Sequence, residues 1–156
     1  KQLFVDNLNV DIIIVLYTRL LTSSLFSSVQ TLNIHPSVLP SFKGFKGLEQ
    51  AWESSSKFIG CSGHFIDETV DGGDILAQII SSKNLCKNID EASKLSFLQK
   101  VYIFLVIFES FNNKKDQSEG TLNLNNSLAV PSLLSDKIIK GYKQLLKDNE
   151  FERILK

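Results

Sequence analysis

Residues 31–44 read TLNIHPSVLPSFKG, and residues 60–78 read GCSGHFIDETVDGGDILAQ. In the first stretch Asn33 and His35 stand two apart, after an apolar run and just before Pro36. Strand side chains alternate between faces, so a strand ending at His35 presents both on one face. Pro36 and Pro40 lack the N–H of a central ladder member, so the strand stops there. In open α/β sheets, ligands bind at the carboxyl ends of strands. In the second stretch Asp71 opens the turn Val70-Asp71-Gly72-Gly73-Asp74 between two apolar segments. The intervening chain suffices for a loop, a helix and a strand, which can return Asp71 to the same sheet edge. An amide, an imidazole and a carboxylate are therefore expected to meet there.

Working outward, residues 11–17 (DIIIVLY) form a continuous, β-branched apolar run. That is the pattern of a strand buried on both faces, hence of a parallel sheet covered by helices. Thr22-Ser23-Ser24 can cap a short helix through Val29. The next strand covers 31–34, and this alternation predicts a doubly wound α/β sheet with the two strands as parallel neighbours. A helix is expected over 46–56, from the spacing of Leu48, Ala51 and Trp52. Strands at 57–66 and 74–82 are joined by the Asp71 turn as an antiparallel hairpin. Residues 90 to about 110 read as a long, mostly buried helix. Residues 112–126 are polar, with a short strand at 121–124, and Pro131 opens an amphipathic helix through about 146. Residues 1–8 resemble the tail of a helix. The fold predicted is α/β: a Rossmann-like, mostly parallel sheet flanked by helices, with an antiparallel hairpin added at one side.

At 156 residues, with 43% hydrophobic and 22% charged, the chain suits one globular domain spanning 1–156. Its formal net charge of zero gives no electrostatic case for nucleic acid or an anionic membrane. Cys61 and Cys86 have no metal or redox spacing and are expected to be buried thiols in a reducing, cytoplasmic setting. No metal site is expected. The longest apolar run, 101–108, is too short to span a bilayer. The chain starts at Lys1 and contains no methionine, so it is expected to lack the N-terminal portion of its fold.

Four segments stand in a telling order. They are Asn33-Ile34-His35-Pro36-Ser37-x-Leu39-Pro40-Ser41-Phe42-Lys43-Gly44, Glu49-Gln50-Ala51, Gly60-Cys61-x-x-His64-Phe65 and Asp71-Gly72-Gly73-x-Ile75-x-x-Gln78. Their order and spacing resemble the formyltransferases that use 10-formyltetrahydrofolate, and among these the phosphoribosylglycinamide branch of purine biosynthesis. The resemblance implies one-carbon transfer from 10-formyltetrahydrofolate, as co-substrate and without a metal, to the amine of glycinamide ribonucleotide. That chemistry needs a donor for the developing oxyanion, which Asn33 can supply. It also needs a proton carrier, for which the imidazole of His35 suits. Asp71 would favour the protonated ring as a nearby negative charge.

The resemblance further implies that Thr18, Arg19, Leu20 and Leu21, together with Asn33, Ile66, Asp67, Glu68, Thr69, Val70 and Asp71, hold the folate. A pterin needs an apolar slot with backbone donors and acceptors along one edge. Pro36 and Gln99 are expected to face the amine substrate, and the Leu39–Pro40 bond is expected to be cis. His64 is read as structural. The expected partners are small molecules, with the chain a monomer or homodimer. The family's first strand and its Gly/Ser-rich phosphate loop, a helix N-terminus suited to anions, have no counterpart in these 156 residues.

One departure stands out. The glycinamide branch carries a Glu-His pair in the long helix, near a Tyr-Pro. Here Ser96-Phe97-Leu98-Gln99-Lys100-Val101-Tyr102-Ile103-Phe104 holds no Glu, and Gln99 would have to substitute through its amide. Two other readings therefore stand beside glycinamide formylation. One is formyltetrahydrofolate deformylase or another folate-dependent formyltransferase. The other is a catalytically idle folate-binding or scaffold domain.

Overall fold

Strand β1 (Ile13–Val15) runs parallel to β2 (Thr31–His35), with Ile13 opposite Thr31 and Val15 opposite Asn33. The computed structural model describes residues 10–16, 21, 23–113, 121–124, 126–132 and 135–155. The expected helix tail at 1–8 lies outside them. Between the two strands sits the short helix α1 (Ser23–Phe26). After β2 come α2 (Gly47–Glu53), β3 (Phe58–Phe65), β4 (Ile75–Ser82), α3 (Ile89–Asn113), β5 (Leu122–Leu124), β6 (Ser127–Val130) and α4 (Asp136–Asp148). The sheet order is β1-β2-β3-β4-β6-β5.

The chain is thus mixed α/β, as expected, and its sheet begins parallel. Beyond β2 the described pairings are antiparallel: β2 with β3, β3 with β4, β4 with β6 and β6 with β5. Short reversals explain two of these pairings, β3 with β4 and β6 with β5, since a parallel partner needs a crossover of a dozen residues or more. β3 and β4 form the predicted hairpin around the Asp71 turn. The expectation that residues 11–17 are buried on both faces needs correcting. β1 is only half-buried and, among the described residues, has β2 as its one neighbour strand. Residues 127–130, to which the sequence assigns no element, form β6 against β4.

The period-two pattern of β2 divides its residues as predicted. Leu32 and Ile34 enter the core with Ile59, Cys61, Ala77 and Ile79 from β3 and β4. Over them lies α3, contributing Leu95, Leu98, Tyr102, Ile103 and Val106, all at most 2% exposed. Asn88 accepts from the Glu91 N–H (2.9 Å), and the Glu91 carboxylate accepts from the Lys87 N–H (2.9 Å), which closes the N-terminus of α3. By length and composition α3 could cross a bilayer, but half of its apolar window is buried inside the fold. It is the core helix, and the Tyr102 hydroxyl ties it to the Pro131 carbonyl at 2.9 Å. The Tyr102 and Tyr142 rings meet edge to face at 5.2 Å, which attaches α4.

The loop after β2 is pinned to the hairpin by the motif's own polar residues. Ser62 Oγ accepts from the Leu39 N–H (2.9 Å) and donates to the Ser37 carbonyl (2.8 Å). Gln78 Nε2 donates to the Leu39 carbonyl (2.8 Å) and to Ser62 Oγ (2.9 Å). The Leu39–Pro40 bond is cis, as is Val130–Pro131. This knot fixes where β2 ends, and with it the positions of Asn33 and His35.

Candidate active site

Asn33 and His35 leave β2 on the face opposite the core, and Asp71 reaches them from the β3–β4 turn. Asp71 Oδ2 lies 3.2 Å from His35 Nδ1. The same oxygen accepts the Gly44 N–H at 2.8 Å, which anchors the carboxylate to the loop after β2. Asp71 adopts φ 47° and Gly44 φ 82°. Positive φ suits Gly and is tolerated by Asp, and such positions concentrate at functional sites. His35 is 4% exposed, and its Nε2 donates to the Phe42 carbonyl at 2.9 Å. Both ring nitrogens therefore face acceptor oxygens.

A second imidazole reaches the same carboxylate. His64 Nε2 lies 3.5 Å from Asp71 Oδ1 and 3.3 Å from Asn33 Nδ2. His64 Nδ1 donates to the Phe65 carbonyl at 2.8 Å. Burial pushes the His64 imidazole below its usual range, although the Phe65 carbonyl and Asp71 pull the other way. Asp67, in the same turn, is held below the ordinary carboxylate range, chiefly by the hydroxyl and then the N–H of Thr69. Cys61 lies under α3, and burial raises its thiol to about 11, so it is an inert core thiol.

Asn33, His35, His64, Asp67 and Asp71 sit in the wall of a cleft of about 640 Å³. Val15, Leu16, Leu21, Phe26, Ile66 and Val70 give it an apolar side, while Asn33, His35, His64 and Asp71 give it a polar one. Of the residues the sequence pointed to, Leu21, Asn33, His35, Pro36, Ile66, Asp67, Glu68, Thr69, Val70 and Asp71 all line it. Thr18, Arg19 and Leu20 lie outside the described residues.

Gln99 needs correcting. It is fully buried between α3 and β4, its Nε2 donates to Ser81 Oγ at 2.8 Å, and its Oε1 lies 3.8 Å from Cys61 Sγ. It does not reach the cleft. The next residue, Lys100, does. A helix turns by about 100° per residue, so one step separates core from cleft. Sequence reasoning also passed over His64 as a cleft group, although the alternation Ser62, His64 was a usable signal. It would have needed the register that sets His64 directly opposite Asn33.

Gly47 shows how tightly the imidazole is held. A Cβ there would lie 2.7 Å from His35 Nε2 and 3.1 Å from the Phe42 carbonyl oxygen. Gly47→Ala should therefore dislodge the ring from Phe42. A misplacement of this kind costs up to about 10²-fold in turnover. Steady-state kinetics with a thermal melt as control tests this, and wild-type turnover in a folded variant would refute it.

A family model described as formyl transferase matches residues 2–91, more than half of the chain. A phosphoribosylglycinamide formyltransferase of Haemophilus influenzae is 30% identical over 129 residues, covering 81% of this chain and 58% of the relative. A formyltetrahydrofolate deformylase of a Corynebacterium strain is 41% identical over 69 residues, covering 43% of this chain and 24% of the relative. A solved phosphoribosylglycinamide formyltransferase from Campylobacter jejuni superposes with a TM-score of 0.64 at 27% identity, over 70% of this chain and 59% of that one. The chain thus spans less than two thirds of the length of each.

Proposed function

We propose that this chain, which belongs to the formyl transferase family, moves a formyl group from 10-formyltetrahydrofolate to the amine of glycinamide ribonucleotide. One observation carries the reading: an amide, an imidazole and a carboxylate, from β2 and the β3–β4 turn, converge on the wall of one cleft. The likeness to glycinamide formyltransferases over most of this chain supports that acceptor. The cleft's size falls within the range of ligand sites, and its apolar side suits a pterin.

In this reading the substrate amine attacks the formyl carbon, and negative charge gathers on the formyl oxygen. Asn33 donates to that oxygen. As the bond to folate N10 breaks, N10 takes up a proton and the new amide nitrogen loses one. Phe42 and Gly47 do not line the cleft, so His35 Nε2 is turned inward and serves as the ring's anchor. The edge that carries the proton is the Nδ1–Asp71 pair, acting directly or through one water. The setting we propose is a single domain in the cytoplasm, monomeric or homodimeric, acting on small molecules.

A second reading has its own support in the deformylase relative. There the same centre would deliver the formyl group to water. Product analysis with 10-formyltetrahydrofolate decides: formylated ribonucleotide only in the presence of glycinamide ribonucleotide supports transfer. Formate released regardless of it supports deformylation, and neither product supports an idle binding domain.

The folate site has its own test. Val70 is 54% exposed and stands on a loop, so the fold should tolerate Val70→Asp. An uncompensated charge against the pterin should weaken folate binding by roughly tenfold or more. Unchanged affinity in a fluorescence titration would remove Val70 from the pocket.

A further inference from the structure

We infer that His64 is a positioning residue, whose unprotonated Nε2 accepts one N–H of Asn33 and so aims the other at the reacting carbonyl. The inference rests on the reading of Asn33 as the oxyanion donor.

The geometry fixes one proton of the ring. The Phe65 carbonyl can only accept, so the 2.8 Å contact puts a proton on His64 Nδ1. A neutral ring then has a bare Nε2, and the donor beside it is Asn33 Nδ2 at 3.3 Å. The two residues are direct cross-strand partners on one face of β2 and β3, the closest relation a sheet offers two side chains. On the other side of His64, β4 carries an extra residue, Leu76, opposite the Gly63–His64 step. Bulges of this kind re-aim side chains beside active sites.

An amide nitrogen carries two hydrogens. With one held by His64, rotation of the Asn33 amide is stopped and the second hydrogen has a fixed direction. Such preorganisation is what makes an oxyanion donor effective. Protonation of His64 would set two donors against each other and break the arrangement. The charged groups facing His64 are Asp71 and Asp67, which favour its protonation, and His35, which opposes it. Burial is the largest influence and pushes the imidazole's pKa down, in favour of the neutral ring.

The test compares His64→Leu, His64→Gln and Asn33→Ala in the full-length protein, with nitrogen NMR of the wild-type imidazole. His64→Leu should lower turnover roughly tenfold, the scale of one lost hydrogen bond, with the folate KM unchanged. His64→Gln, whose Oε1 can accept, should recover most of it. His64→Leu should cost almost nothing further in the Asn33→Ala background, because its effect passes through Asn33. The wild-type Nε2 should resonate as an unprotonated, pyridine-like nitrogen at neutral pH. A protonated Nε2, wild-type turnover in His64→Leu, or losses that multiply fully would overturn the inference. Full activity in Asn33→Ala would instead overturn the donor reading from which it starts.

Discussion

Replacing His35 with alanine should lower formyl transfer by about 10²–10⁴-fold, the usual worth of a positioned acid–base group. The loss should appear in kcat more than in KM, because the ring edge toward the cleft is a proton carrier and not part of the apolar wall. Its Nε2 is spent on the Phe42 carbonyl and its Nδ1 on Asp71, so the ring acts only together with that carboxylate. Asp71→Ala in the same background should therefore add far less than its own single loss, as for residues that act as a unit. The fold should survive, since Ser62 and Gln78 hold Ser37 and Leu39, and the Ser37 hydroxyl still bonds the Ser41 and Phe42 carbonyls when the imidazole's own bond to Phe42 is lost. Kinetics of the two single variants and the double, with melting curves, provide the check. Two losses that multiply in full would dissolve the pair.

Much of this arrangement was legible because short-range rules fixed it. Period-two alternation alone puts Asn33 and His35 on one face and Leu32 and Ile34 on the other. The prolines at 36 and 40 end the strand, and the Asp-Gly-Gly turn marks the hairpin. The helix expected at 90 to about 110 appears as Ile89–Asn113, and the strands expected at 57–66 and 74–82 appear as Phe58–Phe65 and Ile75–Ser82. What failed depended on partners far along the chain. The apolar run at 11–17 shows that its residues can be buried on both faces, not how many neighbours it has. β6 is only four residues long, and its place was decided by the free edge of β4. Pro131 was read as opening the last helix, which instead starts at Asp136 behind the cap of Ser135.

The site divides along the same line. Asn33, His35 and Asp71 could be assembled from parity and turn chemistry. His64 could not, because a lone histidine on a strand says nothing until its cross-strand partner is known. Gln99 failed for a geometric reason: its neighbour Lys100 faces the cleft while Gln99 fills the core against Ser81 and Cys61. The sequence window named a turn of α3 that borders the cleft, but picked the residue on its core side. If the acceptor is glycinamide ribonucleotide, its contact with this helix must come from Lys100 or its surroundings and not from the Gln99 amide.

Asn33→Ala is the second large effect, an expected loss of about 10²–10³-fold in turnover by comparison with other oxyanion donors. The argument lies in timing. A neutral carbonyl asks little of a donor, whereas the developing oxyanion asks much, so removal of Asn33 should raise the barrier while leaving ground-state affinity nearly intact. Binding of a non-reacting folate should thus be unchanged, and kcat should fall together with kcat/KM. Asn33 is only half-buried and stands on the face of β2 opposite the core, so truncation opens no core cavity. It also frees the Nε2 of His64, which can then turn to Asp71 Oδ1, 3.5 Å away, if it takes a proton. A loss confined to KM would assign Asn33 to binding and leave the oxyanion without a donor from β2.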